Sequence, residues 1–220
     1  MPISTRDLSQ MPSIESLEML SQSIAMLDAI LCPQWDYRYF SFNAAWDDSA
    51  NERMASMRNG SGDEYFLLLG PKGAILKGFD HEAPMSPWAR DPVAVWPGVL
   101  DHTPETFASF LSEPAFSMGD CTFCIWRERN DQLWNRGPIT FPQGDDPDGS
   151  EGLLWMFDCR PETYVDFATE YFEKNVEVDL VRRVYAHEPL SPLLVNELNA
   201  EATWEDVLND AKEIAYPVQS

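Results

Sequence analysis

Residues 54–82 read MASMRNGSGDEYFLLLGPKGAILKGFDHE, with two glycine-rich turns set between short apolar runs. Asn59-Gly60-Ser61-Gly62 and Gly70-Pro71-Lys72-Gly73 are tight-turn sequences, so the stretch predicts an antiparallel meander with strands at 53–58, 64–70 and 74–82. Centring the second turn between Pro71 and Lys72 sets Asp63 opposite Asp80. Centring the first near Gly60 and Ser61 sets Arg58 opposite Asp63. Arg58, Asp63 and Asp80 then form one row, with Asn59 in the turn and His81 and Glu82 following at the same end of the sheet. Facing carboxylates repel unless a cation lies beside them, which makes this row the first candidate site.

Outward from the meander, residues 37–42 place Tyr37 and Tyr39 on one face and Phe40 and Phe42 on the other, as in a strand buried on both faces. Residues 43–53, with Trp46, Asp47 and Asp48, read as a loop. Upstream, Leu17, Leu20, Ile24, Leu27 and Leu31 recur at helical spacing, with Ser13 as a cap and Pro33 just beyond, which predicts a helix over 13–31. Downstream, the proline-rich segment 83–103 reads as a surface wrap anchored by Trp88 and Trp96. A short helix from Thr103-Pro104 through Leu111 and a hairpin of 121–129 with 133–135 follow. The acidic stretch 138–151, with Asp145, Asp146, Asp148 and Glu151, reads as a mobile loop. The remainder predicts a helix at 161–174, a strand at 176–185, and helices near 190–198 and from Thr203 to Ala215, with Asp206 completing a cap. The expectation is an α+β single domain over 1–220, a mostly antiparallel sheet with helices packed against it.

A hydrophobic share of 44%, with 12 Phe, 8 Trp and 7 Tyr, suffices for a packed core. The apolar runs fall far short of the roughly 20 residues that cross a bilayer. The first residues lack the basic and apolar regions of a secretory signal, and four cysteines are too few for a disulfide scaffold, so a cytoplasmic location is expected. The 37 acidic and 15 basic residues give a formal net charge of −22. Such a balance argues against nucleic acid, whose phosphates would be repelled, and admits two readings: solubility, or association with a basic protein partner.

The charged row also admits two readings. Arg58 can bridge Asp63 and Asp80, which needs neither metal nor cofactor, or Asp63, Asp80, His81 and Glu82 can ligate a divalent cation as an enzyme or ligand-binding protein would. Cys121 and Cys124 have the spacing of half a zinc site, but in a strand residues three apart face opposite sides, so they read as buried free thiols. His81, His102 and His187 are scattered outside any HExxH or GxSxG pattern, and no phosphate-cradling glycine turn opens a helix.

Ser41-Phe42-Asn43, Trp46, the run MASMRNGSGDEYF and the run KGFDHE together resemble a recurring segment of uncharacterised bacterial proteins. The resemblance implies a bacterial origin and carries over no catalytic residue. More loosely, the order of helix, meander and later helices in a small acidic chain is similar to bacterial toxin-immunity proteins, including the SMI1/KNR4-like group. The resulting expectation is an intracellular acidic binding protein, immunity-like, that masks a cationic partner such as a toxin domain, with its acidic loops among the contact residues.

Overall fold

Leu67, Leu68 and Leu69 are all buried, and successive side chains of a strand point to opposite faces, so the strand they share must be covered on both sides. The computed structural model describes residues 2–219 and shows how that cover is built. Helix α1 (Ile14–Leu31) leads into a six-stranded antiparallel sheet whose spatial order follows the chain: β1 (Phe40–Asp47), β2 (Glu52–Arg58), β3 (Glu64–Gly70), β4 (Gly73–Phe79), β5 (Phe123–Glu128) and β6 (Asn135–Arg136). Helix α2 (Ala108–Ser112) lies in the β4–β5 connection, and α3 (Ser150–Leu154), α4 (Pro161–Tyr171), α5 (Val178–Tyr185), α6 (Pro192–Leu198) and α7 (Trp204–Ile214) complete the chain. The architecture is α+β.

The pleat divides the core in two. Phe40, Phe42, Ala55, Met57, Tyr65, Leu67, Leu69, Leu76, Phe123 and Ile125 face the helical side and pack with α1, α4, α5, α6 and α7. Phe66, Leu68, Ile75, Cys124 and Trp126 face the other side, which the connection from β4 to β5 covers with Met85, Val99, Phe107, Phe110 and Phe116. The connection therefore does more than wrap the surface: it supplies a second hydrophobic layer. Trp96 is partly buried there, whereas Trp88 is 64% exposed, so only the former acts as an anchor.

Helix α1 starts where its cap predicts, the Ser13 hydroxyl accepting from the Ser16 amide at 3.1 Å. It is buried nearly all round, beyond the single stripe its leucines suggest, because β1 and three later helices surround it. Among the described residues, no helix is long and apolar enough to cross a membrane.

Three sequence expectations are corrected. Tyr37 lies in a 3-10 turn (Trp35–Tyr37) and is 63% exposed, so the both-faces strand begins at Phe40. Residues 43–47 continue β1 and do not form a loop, with Asn43 opposite Met54 and Asp47 opposite Glu52 across a bulge. Residues 178–185 are helix α5: Val181 and Val184, three apart, are buried, while Arg182 and Arg183 point outward to Glu162, Asp179, Glu188 and Glu197. Its valines favour a strand locally, and packing against α1 and α4 overrides them.

Candidate functional site

The β3–β4 turn produces the register that its sequence dictates: Gly70 pairs with Gly73 and Glu64 with Phe79, so Asp63 and Asp80 leave the hairpin at the same level. The β2–β3 turn is one residue longer than its sequence predicts. Arg58 pairs with Glu64, and residues 59–63 form a five-residue loop closed by the Asn59 amide donating to the Asp63 carbonyl at 3.2 Å. Gly60 and Gly62 both take positive φ, 75° and 114°, which centres the turn on Ser61. The row of Arg58, Asp63 and Asp80 therefore does not form. The Arg58 guanidinium lies 3.8 Å from Glu64 and 5.2 Å over the Phe66 ring.

Removing arginine leaves a tighter cluster. One ligating atom from each of Asp63, Asp80 and His81 lies within 4.8 Å of the other two. Asp63 Oδ1 accepts from the His81 amide at 2.9 Å and meets His81 Nδ1 at 2.6 Å, while Oδ2 accepts from the Asn59 side chain at 2.5 Å. Asp80 Oδ1 accepts from the amides of Glu82 and Ala83 at 2.9 and 3.0 Å. The Glu82 carboxylate is exposed, 3.9 Å from His81 Nε2.

Charge follows from this geometry. Burial pushes the Asp80 carboxyl up, and the Asp63 and Asp146 carboxylates add to the push. For Asp63, burial pulls upward, but hydrogen bonds from the His81 amide and ring and from Asn59 prevail and hold it below the usual range. The hydrogen bond to Asp63 raises the His81 imidazole, partly opposed by desolvation. When protonated, His81 supplies the counter-charge that the row was expected to take from Arg58.

The acidic stretch reaches the same edge. Gly149, at φ 74°, packs so closely on Asp80 that a Cβ there would lie 2.3 Å from the Asp80 Cβ. The Pro147 carbonyl accepts from the Met85 amide at 2.9 Å, and Arg6 donates to the Asp145 carbonyl at 2.7 Å. Asp148, expected at the surface of a mobile loop, is 1% exposed and accepts from the Thr5 hydroxyl and, at 3.1 Å, from the Ser150 amide. Burial raises its carboxyl. Asp146 accepts from the Gly152 amide at 3.0 Å through one oxygen, and its other oxygen is buried without a hydrogen-bond partner. Asp145 is exposed and Glu151 half-buried, as are Asp48 and Asn59 respectively. Asp47 caps its own turn, accepting from Ser49 and Ala50.

Cys121 and Cys124 fall on the same side of the sheet, in the second core, because Cys121 precedes β5 and escapes its alternation. Burial pushes the Cys121 thiol up to about 12 and holds the Cys124 thiol well above its ordinary value. Both are thereby inert near neutrality.

Two adjoining clefts that share Tyr39 and Tyr171 lie outside the cluster's own residues. The first, about 250 Å³, carries Arg38, Arg58, Ser41 and Ser56; the second, about 480 Å³, is lined by rings and by Asp166 and Glu170. Sequence reasoning missed these clefts. The helical spacing of Tyr164, Phe167 and Tyr171 shows a face, but whether its last ring is covered depends on where β1 begins. Compared with protein-family models, curated proteins and solved structures, the chain matches none.

Proposed function

We propose that the protein is an acidic binding module that docks onto a cationic partner protein, in the manner of an immunity protein masking a toxin domain. The observation that carries this reading is the fate of the basic residues. Eight of the 15 lysines and arginines, Arg38, Arg53, Arg58, Lys77, Arg129, Lys174, Arg182 and Arg183, are already ion-paired within the chain. Among the described residues most of the 37 acidic side chains thus have no internal counter-ion, and the formal net charge of −22 is left largely to the surface. Fields of this kind speed association with basic proteins by roughly 10- to 1000-fold and weaken steeply with salt. The test is capture of partners from the source cell's lysate at about 0.05 M and about 0.5 M salt. A basic protein retained at low salt, released at high salt and tolerated by cells only when this chain is co-expressed supports the reading. Capture that is indifferent to salt and to neutralising Asp47, Asp48 and Asp145 overturns it.

A second reading rests on the convergence of Asp63, Asp80 and His81: a divalent cation bound at the meander edge, with Asp146 beside it. Stoichiometric Mn²⁺ or Zn²⁺ binding, measured by calorimetry and lost in Asp80→Asn, supports this reading. Binding that survives the substitution places the metal elsewhere.

A further inference from the structure

The larger of the two clefts combines aromatic walls with an acidic rim. Its walls are Tyr39, Trp155, Phe167 and Tyr171, Asp166 and Glu170 also line it, and among the described residues no basic side chain does. The rings are locked against each other before anything binds. Tyr39 meets Phe167 edge-on at 5.0 Å and Tyr171 at 5.2 Å, Phe167 and Tyr171 stack at 5.3 Å with 15° between their planes, and Trp155 closes on Phe167 at 5.7 Å. A ligand entering here orders little that is not already ordered. Asp166 and Glu170 sit one turn apart on α4, both exposed, and among the described residues neither is in an ion pair.

Aromatic faces carry negative quadrupole charge and attract a cation placed within about 6 Å of the ring centroid. A guanidinium is flat, weakly hydrated and forked, so it can lie on a ring face while donating to carboxylates at the rim. We propose that this cleft is the docking site for an arginine side chain of the cationic partner, with the guanidinium on the tyrosine faces and paired to Asp166 and Glu170. This rests on the binding-module reading above. Other occupants fit less well. A wholly apolar ligand would strip water from two carboxylates without repayment, and a second copy of this chain would bring another charge of −22. Arg58 does not compete for the site: it lines the neighbouring cleft, beside Glu64.

The probes are N-acetyl-arginine amide and its neutral citrulline counterpart, titrated into the full chain and followed by NMR. Arginine amide is expected to shift resonances of Tyr171, Trp155 and α4, and citrulline amide to bind roughly 5-fold or more weaker. The Asp166→Asn/Glu170→Gln variant and, separately, Tyr171→Ala should each weaken arginine binding by roughly 5- to 30-fold. Circular dichroism checks that each variant remains folded. Equal binding of the two probes, or arginine binding unchanged in both variants, overturns the proposal. So does self-association that Tyr171→Ala abolishes, which would give the cleft to a second copy. Two further results separate this proposal from the one beneath it. A basic partner held equally well by wild type and by the double variant overturns the cleft while the module reading stands. Charge-dependent arginine binding in a protein that captures no basic partner leaves the cleft's chemistry standing and sinks the module reading.

Discussion

The Tyr164 hydroxyl donates to Asp28 Oδ1 at 2.7 Å in the helical side of the core, where neither residue is exposed at all. The other carboxylate oxygen accepts from the Tyr39 and Phe40 amides at 2.9 and 2.8 Å. One side chain of α1 thus fixes the entry of β1 and, through Tyr164, the seat of α4. It also holds the tyrosine whose ring forms a wall of the cleft.

This arrangement sets a pH dependence. Burial pushes the Asp28 carboxyl up to about 7, despite the three donors and the nearby Arg38 that favour its charged form. A folded-state value above the unfolded value of about 3.9 means that Asp28's contribution is fully present below pH ~4 and lost as pH rises through ~7. The loss is on the order of 4 kcal/mol. The difference in melting temperature between wild type and Asp28→Asn should therefore change steadily between pH 4 and 8, to the disadvantage of wild type at the upper end. A constant difference would contradict the linkage. Tyr164→Phe, which removes only the hydroxyl, should cost about 1–3 kcal/mol in urea unfolding.

Lys77 is fully buried in the middle of β4, its ammonium donating to Glu64 at 3.0 Å and to the Asp120 carbonyl at 2.7 Å between the rings of Phe66 and Phe79. Glu64→Ala strands the charge and should cost about 3 kcal/mol, whereas Lys77→Met removes charge and desolvation together and should cost about 1 kcal/mol or less. If the order of the two is reversed in denaturant titrations, the ion pair is not what holds this lysine in the sheet.

His81 should titrate above the ordinary imidazole range in an NMR pH series, and Asp63→Asn should bring it down. The sign follows from the shift: the interaction favours the fold below the unfolded value near 6.5 and fades as pH rises through the higher folded value. From the Asp63 side, held below its usual range, the same contact fades as pH falls through the folded value. A His81 titration insensitive to Asp63 would remove the counter-charge from the cluster.

Gly149→Ala introduces a Cβ 2.3 Å from that of Asp80 at a left-handed backbone position, so the loop must lift from the meander edge. We expect a loss of about 1–3 kcal/mol and a return of the Asp80 carboxyl toward its usual range. Asp80→Gly in the same chain should recover part of the stability. No recovery would mean that the strain lies in the Gly149 backbone alone.

The register error at the first turn shows how much hangs on one residue. Asn59-Gly60-Ser61-Gly62 announces a turn, but both glycines adopt positive φ and extend the loop to Asp63, which moves Arg58 from an aspartate to Glu64 and leaves His81 to serve the carboxylates. The second turn, closed by Gly70 and Gly73, has the length its sequence implies, and there the pairing read from sequence is the observed one.

Local chemistry alone determined helix α1 with its Ser13 cap and the order and antiparallel sense of β2, β3 and β4, because each depends on neighbours a few residues away. The helical state of residues 178–185, the burial of Asp148 against Thr5, the packing of Gly149 on Asp80 and the cleft between Tyr39 and Tyr171 were decided by tertiary structure. Each joins parts of the chain remote in sequence, or yields to packing by such parts, and no local preference carries the energy of a contact that exists only once the layers have closed.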